Sequence, residues 1–327
     1  MQLLRGIAAI AALLLSFLAG IQVTLMQNHH TTADSSRGQL RSFNGREDQA
    51  CPFLYRNGEA RLDSLAACRE RARAQDNYYC PDDFVIMLIT SSNTIDRYHR
   101  CNTTWLPELV QQGFHVLRVA AAAVPALPEV VGLGMPDQHD NQIRDLTVRG
   151  MQLARQLYPS AKWYMKVDDD AYVYGGNLIA RFNMYIQGQD RLNASKPVAV
   201  GKIFPDGADS RMPVKFLMGG AGWVQSRPAL DIAEPAMADP SHACGLSSAE
   251  DVAWSECWRQ LGVQLVDMPG MVPVQTWEAW KWLHWMNGAA GPSKLPITFH
   301  WVKQEIEMLK LHSCKFQFPM QEVERAD

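Results

Sequence analysis

A chain of 327 residues with 47% hydrophobic and 20% charged residues has ordinary globular composition, and it is long enough for one large domain or two modest ones around a sizeable core. A formal net charge of -3 carries no basic excess and no local basic patch stands out, which excludes nucleic acid as the expected partner.

The amino-terminal run Ile7 to Met26 is apolar on every face and follows Arg5. It has about the 20 residues a helix needs to cross a bilayer, and a buried amphipathic helix would show a polar stripe. A cleavable signal peptide and an uncleaved anchor both send the chain into the secretory pathway. The run exceeds the usual length of a signal-peptide core, and Leu18-Ala19-Gly20 lacks the first small residue of a cleavage site, so the anchor is favoured. With Arg5 cytoplasmic, the expected order is a tail over 1–6, a transmembrane anchor over 7–26, a polar flexible stem over 27–50 and a lumenal domain over 51–327. In an oxidising lumen the seven cysteines read as disulfide partners. Proximity suggests Cys51 with Cys68, Cys80 with Cys101 and Cys244 with Cys257. Cys314 is left over, and an odd thiol permits an intermolecular bridge and hence a homodimer. The sequons at Asn102 and Asn193 agree with a lumenal location, although such triplets also arise by chance.

Glu59 to Gln75 has a helical pattern, and Phe84 to Thr90 is a short apolar run bounded by turn residues, the mark of a buried strand. A helix interrupted near Pro107 is expected over Asp96 to Gln112, then a strand at Phe114 to Ala120. A helix from Asp140 stops at Tyr158-Pro159, and a strand follows at Trp163 to Val167. Further strands are expected at Pro197 to Ile203, Phe216 to Val224 and Val263 to Met268, with helices at Pro228 to Met237 and Ser248 to Leu261. This alternation predicts an α/β fold with a mostly parallel, twisted sheet covered on both faces in a single Rossmann-like domain. Ligands bind such sheets outside the carboxyl ends of the strands.

The triplet Asp168-Asp169-Asp170 sits at such an end. Alternation on an extended chain sends Asp168 and Asp170 to one side, where a hard divalent cation would relieve their repulsion and a substrate diphosphate could complete its shell. A solvated acidic turn is the plainer alternative. The run Gly219-Gly220-Ala221-Gly222 interrupts an apolar segment, which fits either close backbone approach to a ligand or a tight turn. Glu250-Asp251 opens a helix, where acidic residues also compensate the dipole, and His300 between Phe299 and Trp301 reads as a core histidine or a ligand.

In order, WYMKVDDDAYV, FLMGGAGWVQSRPAL, SSAEDVAWSECW and ITFHWV resemble the Fringe and core 1 β-1,3-galactosyltransferase family of inverting glycosyltransferases. The resemblance runs over most of Phe84 to Val302 and leans to the core 1 branch, through SSAEDV between Cys244 and Cys257 and the closing FHWV. It implies a GT-A type fold and a UDP-sugar donor lying near Asp168, Asp169 and the Gly219, Gly220, Ala221 and Gly222 segment. It implies manganese or a similar metal at Asp168, Asp170 and His300, and Asp251 as catalytic base with Glu250 as runner-up. A glycoprotein or glycopeptide acceptor and a single-pass Golgi or ER membrane location follow from the same likeness. Between Met268 and Ile297 the chain departs from core 1 enzymes by being shorter. Trp277, Trp280, Trp282 and Trp285 there can face a sugar or pack in the core, and Trp282 and Trp285 are the expected acceptor contacts. A noncatalytic chaperone or sugar-binding relative is the reading from another class, and retention of both metal ligands and base speaks against it.

Overall fold

The computed structural model describes residues 59–62, 64–136, 139–187, 192–204, 215–239, 241–242, 244, 247, 249–268, 270–272, 296–303, 308, 311–312 and 317–319. The expected tail, anchor and stem lie outside these residues, as do Cys51, Cys314 and Trp277, Trp280, Trp282 and Trp285. No helix of the described residues is long and apolar enough to cross a membrane.

The first element departs from the expected helix over Glu59 to Gln75. Strand β1 (Glu59–Arg61) pairs in parallel with Gln317–Pro319 near the far end of the chain, a partner that local periodicity does not reveal. Helix α1 then covers only Leu65–Ala74, opened by Ser64, whose side chain accepts from the Ala67 N–H at 3.3 Å. Strand β2 (Phe84–Ile89) is buried throughout. The next helical stretch is two helices, α2 (Ile95–Thr103) and α3 (Trp105–Gln112), broken at Thr104 with φ -121° and ψ -95°. Pro107 explains the break: it has no N–H for the Thr103 carbonyl, and its ring crowds that group, so the proline is tolerated only in the first turn of a new helix.

Strands β3 (His115–Ala120) and β4 (Val131–Gly132), helix α4 (His139–Leu157), strands β5 (Trp163–Asp168) and β6 (Tyr172–Val173) and helix α5 (Gly175–Gln187) follow. Beyond them come β7 (Val198–Gly201), β8 (Ile203–Phe204), β9 (Phe216–Leu217), β10 (Trp223–Ser226), α6 (Arg227–Ala238), α7 (Glu250–Gln260), β11 (Gln264–Asp267), β12 (Met271–Val272), β13 (Thr298–Phe299) and β14 (Gln317–Pro319). The expected strand over Phe216 to Val224 is thus split by the glycine segment, where Gly222 takes φ +82°, a conformation glycine adopts without the penalty of a side chain.

The main sheet has the order β11-β7-β10-β5-β2-β3-β4, and every strand but β10 runs the same way. Side chains of β2 alternate between two cores. Phe84, Ile86 and Leu88 join Trp105, Leu109, Leu178 and Phe182 on one face. On the other, Val85, Met87 and Ile89 join Met151, Leu230, Trp254 and Trp258. Helices therefore cover both faces, which is why the central strands lack polar alternation and are apolar almost throughout. This is the expected α/β, mostly parallel arrangement.

The cysteine pairing differs from the proximity reading in part. Cys244 bonds Cys257 as expected, but Cys68 bonds Cys80, with Cα atoms 5.8 Å apart. Cys101 is a buried free thiol, because α2 turns it under the acidic triplet, where Sγ donates to the Asp169 carbonyl at 3.1 Å.

Candidate functional site

Two pieces of topology assemble the site at the carboxyl end of β5. Strand β10 is antiparallel to β5 with Trp223 opposite Lys166, so the glycine turn that precedes β10 arrives where β5 ends. A small second sheet, β12-β13-β6, supplies the rest. Strand β6 follows the acidic triplet directly, and β13 pairs with it with Phe299 opposite Tyr172, so His300 emerges beside Asp170. The Val302 N–H donates to the Asp170 carbonyl at 2.8 Å and the His300 N–H to the Val272 carbonyl at 3.0 Å, which fixes the returning chain.

The side chains of Asp168, Asp170 and His300 each bring one ligand atom to within 4.8 Å of the others. His300 Nε2 is 3.4 Å from Asp170 Oδ1, while Nδ1 is buried without a hydrogen-bond partner. Two carboxylates and an imidazole with an unused ring nitrogen fit a divalent ion of the magnesium to manganese type. Space for the imidazole comes from Gly220: a Cβ there would lie 2.0 Å from His300 Cε1 and 2.2 Å from Nε2. Thr298 Oγ1 ties the turn to β13 by donating to the Ala221 carbonyl at 2.5 Å. Burial alone would raise the Asp170 pKa, but the hydrogen bond and charge of His300, with Arg97 and Lys303, hold it below the usual carboxylate range.

Asp169 is not part of this group. Its Oδ2 accepts from Thr90 Oγ1 at 2.8 Å and from Thr94 Oγ1, and burial pushes its pKa up to about 6 despite those bonds. It ties the acidic loop to the segment between β2 and α2. Arg97 on α2 reaches in from the rim, with Nη1 3.5 Å from Asp170 Oδ2 and 3.9 Å from Asp169 Oδ1.

Across the glycine turn, α7 begins with the two remaining acidic residues, and their environments differ. Asp251 is half-buried; its Oδ2 accepts from the Gly219 N–H at 3.1 Å, and its Oδ1 accepts from the Val252 N–H at 2.9 Å. Glu250 is buried, 5% exposed, with Oε1 accepting from Trp223 Nε1 at 3.2 Å and Oε2 3.3 Å from Lys166 Nζ. A Cβ on Gly219 would come within 2.6 Å of Glu250 Oε2, so this glycine allows the turn to lie on the helix end.

Sequence reasoning missed Lys166. Its ammonium is enclosed, 2.9 Å from Asp168 Oδ1, and donates to the Gly219 carbonyl at 3.4 Å. Burial would lower its pKa, but Asp168 and Glu250 outweigh that and raise it, keeping the group cationic. Burial likewise pushes Glu250 up to about 7 against the pull of Lys166. Strand alternation could have found the lysine, since Lys166 and Asp168 sit two apart and share a face.

Residues 94–322 match the Fringe-like family model. Glycoprotein-N-acetylgalactosamine 3-beta-galactosyltransferase 1 of Xenopus laevis is 25% identical over 219 residues, covering 58% of this chain and 57% of that protein, so the chain spans little more than half of that relative's length. Among solved structures, a glycosyltransferase involved in glycosylation of the major capsid of PBCV-1 superimposes with a TM-score of 0.46 at 12% identity, over 72% of this chain and 99% of the other. With its matched residues taking in α2, the acidic triplet, the glycine turn, α7 and His300, the chain belongs to the Fringe-like family.

Proposed function

We propose that the protein is an inverting, metal-dependent hexosyltransferase that moves galactose from UDP-galactose in β-1,3 linkage to an O-linked GalNAc glycan on glycoproteins. The observation that carries this reading is the convergence of Asp168, Asp170 and His300 within 4.8 Å, with Asp251 held by Gly219 of the same glycine turn whose Gly220 makes room for His300. The galactose and GalNAc assignments rest on the sequence likeness to the Xenopus galactosyltransferase. An anchored lumenal location in Golgi or ER belongs to the same proposal.

Inversion requires a base on the acceptor side of the anomeric carbon and positive charge on the side of the departing diphosphate. Asp251 takes the proton of the acceptor hydroxyl; the acceptor oxygen bonds to the anomeric carbon as the bond to UDP breaks, and UDP leaves with the electron pair. The Gly219 and Val252 N–H groups orient the carboxylate. Glu250 is enclosed by Lys166 and Trp223 and is poorly placed for that role. Asp168, Asp170 and His300 would hold the divalent ion, which supplies electrostatic stabilisation of the leaving diphosphate.

The test is UDP release and product linkage for the purified protein with UDP-galactose, UDP-GlcNAc and UDP-glucose on glycopeptides bearing GalNAc or fucose, with manganese and with chelator. Manganese-dependent transfer of galactose to GalNAc is expected. Transfer of GlcNAc to fucose, in the manner of Fringe, would overturn the donor and acceptor assignment while leaving the site reading in place. Absence of turnover with every donor would sink the enzymatic reading in favour of a sugar-binding or chaperone role.

A further inference from the structure

Lys166 touches one group from each part of the site: Asp168 of the metal group, Glu250 beside the base Asp251, and the carbonyl of Gly219 in the glycine turn. A lysine side chain only 1% exposed is unusual, and one whose three contacts come from three separate elements does more than neutralise a neighbour. Glu250 is fixed at its other oxygen by Trp223, the residue opposite Lys166 in the sheet register. The chain of contacts from β5 through Lys166 and Glu250 to α7 is therefore continuous and buried.

Building on the proposed function, we propose that Lys166 and Glu250 are positioning residues, a buried ionic strut that sets the separation between Asp168 and Asp251. The strut also reserves Asp168 Oδ1: with the ammonium at 2.9 Å, that oxygen is engaged, and Asp168 offers the cation its other oxygen. This assignment has a signature that simple structural damage lacks. Loss of the ammonium frees an oxygen and removes a like charge from beside the cation, so metal binding tightens. The same loss releases α7 from β5 and slackens the geometry of the base, so turnover falls.

The experiment compares the wild-type full chain with Lys166→Met, Glu250→Gln and the double variant. Manganese affinity is read by electron paramagnetic resonance without nucleotide, alongside kcat, KM for the UDP-sugar and thermal unfolding. Lys166→Met alone leaves Glu250 buried without its partner and can fail to fold; the double variant removes both charges and keeps the test open. The double variant is expected to melt near wild type, to bind manganese about tenfold tighter and to lose about tenfold or more in kcat, with KM changing less than kcat. Glu250→Gln alone keeps the Lys166 contact to Asp168, so its manganese affinity stays near wild type while kcat falls. A double variant that binds manganese no tighter than wild type, or that turns over at the wild-type rate, overturns the strut. A wild-type chain inactive with every UDP-sugar overturns the functional reading instead, and the manganese comparison still decides whether Lys166 withholds an oxygen of Asp168.

Discussion

Gly220→Ala puts the assembly of the metal group to a direct test. The glycine's φ is not in the left-handed region, so alanine fits the backbone and the effect is one of space alone. The added Cβ would meet three atoms of the His300 ring at 2.0, 2.2 and 2.5 Å, where ordinary contact begins at 3.4 Å. The imidazole must therefore retreat by roughly 1.4 Å, while Asp168 and Asp170 stay where β5 and the Val302 N–H hold them. A misplacement of that order costs about 100-fold in rate, or about 2.7 kcal/mol of transition-state stabilisation. The imidazole is partly exposed, at 15%, and global stability should fall by about 1 kcal/mol, the low end of overpacking. The assay is turnover of UDP-sugar against manganese concentration, paired with thermal unfolding. The expected result is a higher metal requirement and about 100-fold lower activity at fixed manganese in a protein that melts near wild type. Wild-type activity with an unchanged manganese midpoint would refute the placement of His300 in the metal group.

Four other outcomes are expected. Asp170→Asn should abolish the stimulation of turnover by manganese, seen by titrating metal back after chelation. Asp251→Asn keeps an oxygen for the Gly219 N–H but cannot take a proton, so kcat should fall about 10²- to 10⁴-fold with donor KM little changed. Thr90→Val with Thr94→Val strips the buried Asp169 of both hydroxyl donors and should cost about 2–4 kcal/mol in denaturant unfolding. Cys68→Ser should cost about 3 kcal/mol by opening the short loop to Cys80, and nonreducing peptide mapping should recover Cys101 as a thiol.

The parts of the site that were legible are those written in local pattern. Phe84 to Thr90 and Trp163 to Val167 read as buried strands because two cores draw on alternate positions of β2 and β5, which leaves both runs apolar apart from Lys166, and the acidic triplet marked the strand end. What escaped is long-range. The strand at Glu59–Arg61 exists through its pairing with Gln317–Pro319, and the helix-like local pattern around it gives no hint of that partner. The cysteine reading failed where nearest neighbours were assumed: the inward face of α2 commits Cys101 to the core, and Cys80 turns back to Cys68. The acidic triplet divides three ways, since Asp169 is claimed by Thr90 and Thr94, Asp168 by Lys166, and Asp170 by His300. Composition marks such a cluster without saying which neighbour each carboxylate will meet.

The pairing of β13 with β6 also has a kinetic meaning. It closes a long span of chain in the site, joining His300 to a strand that follows Asp170 directly, and contacts so distant in sequence form slowly. A chain emerging amino end first completes the carboxylate half of the group well before the imidazole arrives. The capacity to hold a cation is thus acquired late in folding. A cation that binds only the closed form lends its binding free energy to that last docking step, so β13 and the His300 that follows it are where metal supply and folding yield become one quantity.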